Sequence, residues 1–292
     1  MICDAHVHFF SPGFFTGLGA TPEKLAGIGW DAPESTEALA ARWVVDLDRH
    51  GVDTVGLIAS LPGDADSVVT AVALHPSRFV GFFMVDPARD DAVAYATRAL
   101  EQGLRTICLF PAMHRVALHD ERVARLFELA AARPGTAVFA HCGVLSVGIR
   151  KKLGLTSPFD IRFGNPLDLQ GVALRFPAVP IVIPHFGAGM LREALMVADL
   201  CPNVHLDTSS SNSWIKYTPG LTLEHVFETA LKVVGPHRLV FGTDSSFFPR
   251  GWNREVYLHQ KAVLDSLGSA AADQEKIFAG NFKRLFGAAP GA

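Results

Sequence analysis

The sequence predicts a single-domain α/β fold, a (β/α)8 TIM barrel with long loops at its C-terminal face, and three observations carry that expectation. Eight short apolar or β-branched runs recur along the chain, and segments with helical spacing lie between them. No linker or shift in composition divides the 292 residues. Barrels of this kind run to about 250 residues as one unit, so residues 1–292 read as one domain.

Taken in order, the first run (2–8) opens the chain, and a helix follows over 36–50 (TEALAARWVVDLDRH), capped by Ser35 and stopped by Gly51. Runs at 52–60 (VDTVGLIAS) and 79–85 (FVGFFMV) give the second and third strands. A helix over 90–102, opened by Asp90 and closed at Gly103, leads to the fourth, 104–110 (LRTICLF). Next come a helix over 120–133, between Asp120 and Pro134, and a strand over 136–142 (TAVFAHC). The sixth run, 180–186 (PIVIPHF), precedes a helix over 188–201, and the seventh, 203–208, a helix over 222–234 that ends at Gly235. The eighth is 238–244 (RLVFGTD), and two extra helices, 254–267 and 273–286, finish the chain. The runs are nearly continuous in hydrophobicity, as strands covered on both faces require. No G-x-G-x-x-G follows the first strand, which argues against two dinucleotide-binding halves. Segments 9–34, 143–163, 209–221 and 245–253 are long or rich in Gly and Pro, and all follow strands, on the face where barrel enzymes keep their sites.

Apolar residues make up 49% of the chain and charged residues 19%, enough to bury a large core. The net charge of −3, from 26 basic and 29 acidic residues well mixed, leaves no basic stripe for nucleic acid. The start, MICDAHVHFF, lacks the basic and apolar regions of a signal peptide, and no run of 18 apolar residues occurs, so a soluble cytoplasmic protein acting on a small molecule is expected. Cys3, Cys108, Cys142 and Cys201 are too scattered for a zinc knuckle or disulfide framework. Oligomeric state is not legible, a homo-oligomer included.

Chemistry concentrates at strand ends. His6 and His8, two apart in a strand, point to one side with Cα atoms about 6.5–7 Å apart, within reach of one ion. By the same alternation Asp4 shares that face one step deeper, and Cys142 points to the helical shell. Standing alone, the pair would read first as two core histidines with satisfied hydrogen bonds. However, His141, His185 and Asp244 close the fifth, sixth and eighth runs, whereas His50, His75, His225, His237 and His259 are scattered. Three imidazoles and a carboxylate suit one divalent metal, Zn²⁺ first, with Mn²⁺, Fe²⁺ or Co²⁺ as alternatives. Arg150, Lys151, Arg162, Arg250 and Arg254 lie on mouth loops, where they can meet a substrate carboxylate or remain solvated. Trp30, Trp214 and Trp252 can wall a pocket or pack the loops, and the run SSSNS at 209–213 can offer hydroxyls or turn chemistry. His114 and His119, just beyond the fourth strand, can approach the mouth but read first as solvated loop residues. Walker, zincin and serine-hydrolase motifs are absent.

DAHVHFF, VFAHCG, VIPHFG, FGTDSS and KIFAGNFKRLFG, in that order, resemble the amidohydrolase superfamily, and within it the amidohydrolase-related branch. The resemblance implies that His6, His8, His141 and Asp244 bind one metal, that His185 is an acid/base or electrophilic residue, and that Asp244 also handles a proton. Many members carry a bridging lysine on the fourth strand. Here that strand reads ICLFPAMH, so a single metal is implied. The expected activity is hydrolysis of a lactone, ester or amide of a small organic acid by metal-activated water. The alternative is non-oxidative decarboxylation of an aromatic or related acid, with hydration third and a catalytically silent barrel last.

Overall fold

A computed structural model of the chain describes residues 1–287. Eight parallel strands, β1 (Cys3–Phe9), β2 (Thr54–Ala59), β3 (Phe79–Val85), β4 (Thr106–Leu109), β5 (Ala137–Ala140), β6 (Ile181–Ile183), β7 (Val204–Asp207) and β8 (Leu239–Val240), pair in sequential order. The circle closes from the residues after β8 back to β1: Ala5 N–H donates to Phe241 O at 2.9 Å, Asp244 N–H to His6 O at 2.9 Å and His8 N–H to Ser245 O at 2.7 Å. The fold is therefore the expected (β/α)8 barrel.

Alternation along each strand sorts side chains into two apolar layers. Leu57, Phe83, Ile107, Val138, Ile181 and Leu206 pack outward with the helices, and Cys142 joins this layer as expected. Ile58, Phe82, Cys108, Phe139, Val182 and Val240 fill the barrel interior. Its lower end is plugged by the last helix, Asn281–Phe286, which inserts Phe282, Leu285 and Phe286 and sets Phe286 against Phe82 at 4.8 Å. Burying such aromatic rings contributes about 1.5–3 kcal/mol each.

The helix Thr36–His50 opens on Ser35, whose side chain accepts from Ala38 N–H, and ends on left-handed Gly51. The expected cap at Asp90 is not found. That helix spans Ala92–Glu101, and Asp91 precedes it without a side-chain capping bond. The helix Ala65–Leu74, between β2 and β3, escapes the helical spacings above because ADSVVTAVAL is apolar on most sides and shows no polar stripe. Among the described residues no helix is long and apolar enough to cross a membrane.

Asp4 does not share the face of His6 and His8 that strand alternation predicts. The β1–β2 register slips between Asp4 and Val7, so β1 carries a bulge. One extra residue exchanges the faces on either side of it. Cys3 and Ala5 pack in the interior, whereas Val7 and Phe9 belong to the outer layer. Asp4 accordingly leaves the face of His6 and His8. Its carboxylate accepts from Trp252 Nε1–H at 2.8 Å and from Thr243, while its other oxygen takes the backbone N–H of His6 at 2.9 Å. Burial pushes Asp4 up to about 6, against those hydrogen bonds.

Candidate metal-binding active site

Past the bulge, β1 aims His6 and His8 into the upper end of the barrel. The chain beyond β8 brings Asp244 beside them in a left-handed conformation (φ 59°), a strained choice for a residue other than glycine. His6 Nε2 and His8 Nε2 lie 3.2 Å apart, and Asp244 Oδ1 lies 3.2 Å from His8 Nε2 and 3.7 Å from His6 Nε2. The room for this approach comes from Gly242, where a Cβ would fall 2.8 Å from the Cβ of His6 and 2.9 Å from that of Ser209.

Each imidazole is oriented by a partner at its other nitrogen. His6 Nδ1 lies 2.9 Å from Asp207 Oδ2, and a buried carboxylate only accepts, so Nδ1 carries the proton. His8 Nδ1 lies 2.7 Å from Ser60 Oγ; that hydroxyl donates to Ile58 O at 3.0 Å, so it accepts from His8. Both Nε2 atoms therefore face one another with a carboxylate oxygen between them, an arrangement held only by a cation, either a proton or a metal ion. Burial acts to lower the proton affinity of His6, but Asp207, together with the charges of Asp244 and Asp4, raises the group, whereas burial pushes His8 down. Burial acts to raise Asp244, and its bond to His8 and the charge of His6 hold it well below the carboxylate range.

These three residues fit a metal. Atoms separated by 3.2, 3.2 and 3.7 Å lie on a circle of radius about 2.0 Å, the length of a metal–nitrogen or metal–oxygen bond. Two imidazoles and a carboxylate also match the donor preferences of Zn²⁺, Mn²⁺, Fe²⁺ and Co²⁺. The site is thus a possible His/Asp metal centre.

His141 and His185 complete the polar floor. His141 follows β5, stacks on Phe110 at 5.4 Å and has its ring 5.2 Å from that of His185. It does not join the cluster of His6, His8 and Asp244, whose ligand atoms lie within 4.8 Å of one another. Its Nδ1 is buried without a hydrogen-bond partner, a loss of about 1–3 kcal/mol unless a water or metal meets it. Burial, with the charges of His185 and His6, lowers His141 far below the ordinary imidazole range. His185 lies beyond β6 in the turn Pro184–Gly187 (φ 56°, ψ 32°), its ring stacked at 5.0 Å on His6. Burial, then the charge of His6, lowers it too. His6, His185 and Asp207 form a second close group, but the Ser209 hydroxyl stands between the histidines, which makes this a hydrogen-bond network.

Over this floor opens a cavity of ≈690 Å³. Its walls are aromatic: Phe10 stacks on Phe14 at 4.0 Å and Trp30 on Phe247 at 3.8 Å, with Arg250 4.5 Å above the Phe247 ring. Arg150, Lys152, Lys216 and Arg250 line it, none of them ion-paired among the described residues, and its one carboxylate is Asp244.

The Amidohydrolase family model (Amidohydro_2) matches residues 3–288. The chain belongs to this amidohydrolase family. Over 114 residues it is 32% identical to protein fluG of Emericella nidulans, a match covering 39% of this chain and 12% of that protein. The fold superposes on a probable 2-pyrone-4,6-dicarboxylic acid hydrolase from Acinetobacter baumannii with citric acid bound (16% identity, 98% and 99% of the two chains, TM-score 0.64). It also superposes on a 5-carboxyvanillate decarboxylase from Novosphingobium aromaticivorans with bound manganese (15% identity, 98% and 97%, TM-score 0.64). At these identities the likeness is one of fold.

In this amidohydrolase, Trp30, Trp214, Arg150 and Arg250 line the cavity, one of the two placements open to each, and Ser210 and Ser213 join them. Trp252 does not. It is buried in the outer layer, its backbone N–H held by Asp46 at 2.7 Å. Lys151, Arg162 and Arg254 do not line the cavity, and Arg162 pairs with Asp160. His119 is exposed near Asp168, and His114 keeps a buried, unpartnered Nδ1 outside the cavity. Leu109 faces the helices, so Cys108 and Phe110 occupy the interior of β4 where a lysine would stand. Asp207 and Ser60 are orienting residues that sequence reasoning missed, and Ser209, the first of the SSSNS run, supplies its hydroxyl to His6 and His185 below the mouth. An aspartate in phase with the interior of an apolar strand was the available signal for Asp207.

Proposed function

We propose that this amidohydrolase is a hydrolase that holds one divalent metal, Zn²⁺ first, on His6, His8 and Asp244, with His141, which stands outside that close group, as the fourth ligand, and opens a lactone, ester or amide of a small organic acid. The observation that carries the reading is the convergence of His6 Nε2, His8 Nε2 and Asp244 Oδ1 at metal-ligand spacing. When bound, such a metal is a Lewis acid and makes hydroxide available near neutrality. The chain's own residues do the rest. His185, at the cavity floor, donates a hydrogen bond to the oxygen on which charge develops. Asp244 takes a proton from the attacking water on its second carboxylate oxygen and returns it to the leaving group. The unpaired cations of the mouth receive the substrate's carboxylate, and the stacked aromatic walls exclude water from a flat body. The apolar interior of β4, with Cys108 and Phe110, supports a single metal.

His6→Ala and Asp244→Ala should each lose bound metal and turnover against a panel of lactones and aromatic carboxylates. A metal-free variant with full activity would overturn the reading. The aromatic walls and four cations without an ion-pair partner among the described residues also favour a second reaction, decarboxylation of an aromatic acid with His185 protonating carbon. Turnover in ¹⁸O-water separates the two, because hydrolysis places solvent oxygen in the product and decarboxylation releases carbon dioxide instead.

A further inference from the structure

We propose that Ser209 is a positioning residue that locks His185 in the tautomer presenting Nε2–H to the cavity, making His185 a hydrogen-bond donor to the substrate rather than a base. The inference rests on the catalytic placement of His185 given above and deepens it.

Ser209 follows β7 and is fully buried. Its Oγ lies 2.9 Å from His6 Nδ1 and 2.9 Å from His185 Nδ1. A hydroxyl has a single proton to give, so the two histidines compete for it. Asp207 decides the contest. One of its oxygens lies 2.9 Å from His6 Nδ1 and the other takes the backbone N–H of Ser209, so His6 Nδ1 already carries a proton and cannot accept a second. The Ser209 proton is left to His185 Nδ1. A competing arrangement, in which His185 Nδ1–H donates to the backbone carbonyl of Ser209, spans 3.3 Å and strands the hydroxyl proton between two N–H groups. With Nδ1 accepting, the neutral ring keeps its proton on Nε2, the nitrogen remaining for the cavity that His185 lines.

The backbone explains why such a lock is needed. His185 sits in a left-handed turn beyond the end of β6, where strand packing does not set the ring. The turn is closed by Phe186 and Ala188, also at positive φ, which fix the chain but not the imidazole. Asp207 and Ser209 are two residues apart at the end of β7 and face the same interior. One short segment thereby sets both imidazoles, Asp207 orienting His6 and Ser209 orienting His185.

The test is nitrogen NMR on zinc-loaded protein labelled with ¹⁵N-histidine, the His185 ring assigned by its loss in His185→Gln. The expected spectrum has His185 Nδ1 unprotonated and Nε2 protonated. In Ser209→Ala the two nitrogens should move toward a mixture of tautomers, and kcat on an accepted substrate should fall about 10-fold, less than the about 10²–10⁴-fold that a positioned proton donor supplies because the ring stays in place and only its tautomer is mixed. KM and metal content should hold, and Ser209→Thr, which keeps the hydroxyl, should restore both spectrum and kcat. A wild-type spectrum with Nδ1 protonated, or an unchanged ring in Ser209→Ala, overturns the proposal. The catalytic reading fails separately: if His185→Gln turns over as fast as wild type, His185 is not in the reaction whatever its tautomer.

Discussion

Replacing Asp207 with asparagine removes one buried negative charge without changing shape. The carboxylate accepts His6 Nδ1–H at 2.9 Å on one oxygen and the Ser209 backbone N–H on the other. An amide can satisfy only one of the two, and its NH2 group must face a second donor. A charge-assisted hydrogen bond of this kind contributes about 1.5–3 kcal/mol. Loss of such an orienting partner weakens metal binding by about 10- to 100-fold. The assay is a competitive chelator titration of zinc-loaded protein, wild type against Asp207→Asn. Asp4→Asn is the internal control, because the bulge turns Asp4 toward Trp252 and Thr243 and away from the ligand nitrogens. Asp4→Asn should lower stability and leave zinc affinity within a few-fold. A folded Asp207→Asn protein that holds zinc as tightly as wild type would refute the argument that Asp207 sets the donor tautomer of His6.

Gly242→Ala puts a Cβ 2.8 Å from that of His6 and 2.9 Å from that of Ser209, so it should cost about 1–3 kcal/mol of stability in chemical denaturation and release metal, whereas an unperturbed variant would show that β8 yields easily. Arg250→Gln should raise KM for carboxylate-bearing substrates about 10-fold with little change in kcat, and an equal effect on a neutral ester would show that Arg250 acts through packing on Phe247. His205, inside the lower barrel, is pushed down to about 4 by burial and then by the charge of Arg284. It is therefore neutral in the fold, while the unfolded chain takes up its proton below about pH 6.5, so stability is fully present above that pH and declines as pH falls toward 4, by at most about 3 kcal/mol. His205→Asn should flatten the denaturation midpoint across that window relative to wild type, and an unchanged slope would remove His205 from the account.

The barrel was legible because its causes are local. Runs such as FVGFFMV, short, aromatic and bounded by breakers, read as strands covered on both faces, and eight of them separated by helical segments close into one sheet. The pair His6 and His8 was legible through the two-residue period of a strand, and Asp244 through its place beyond the last apolar run. The face of Asp4 was not, because a one-residue bulge inverts alternation without a mark in the local sequence. Neither were Asp207 and Ser60, nor the partners of the Ser209 hydroxyl, whose meaning lies in distances to His6, His185 and His8 across as many as 203 positions of sequence. Trp252 reads like the other loop tryptophans, and only packing against the helical layer takes it from the mouth. By itself the sequence determined which residues could carry metal chemistry, since strand period and hydrophobicity act over a few neighbours. Tertiary structure decided which nitrogen of each histidine is offered, because a hydrogen-bond partner makes that choice and the partners come from other strands.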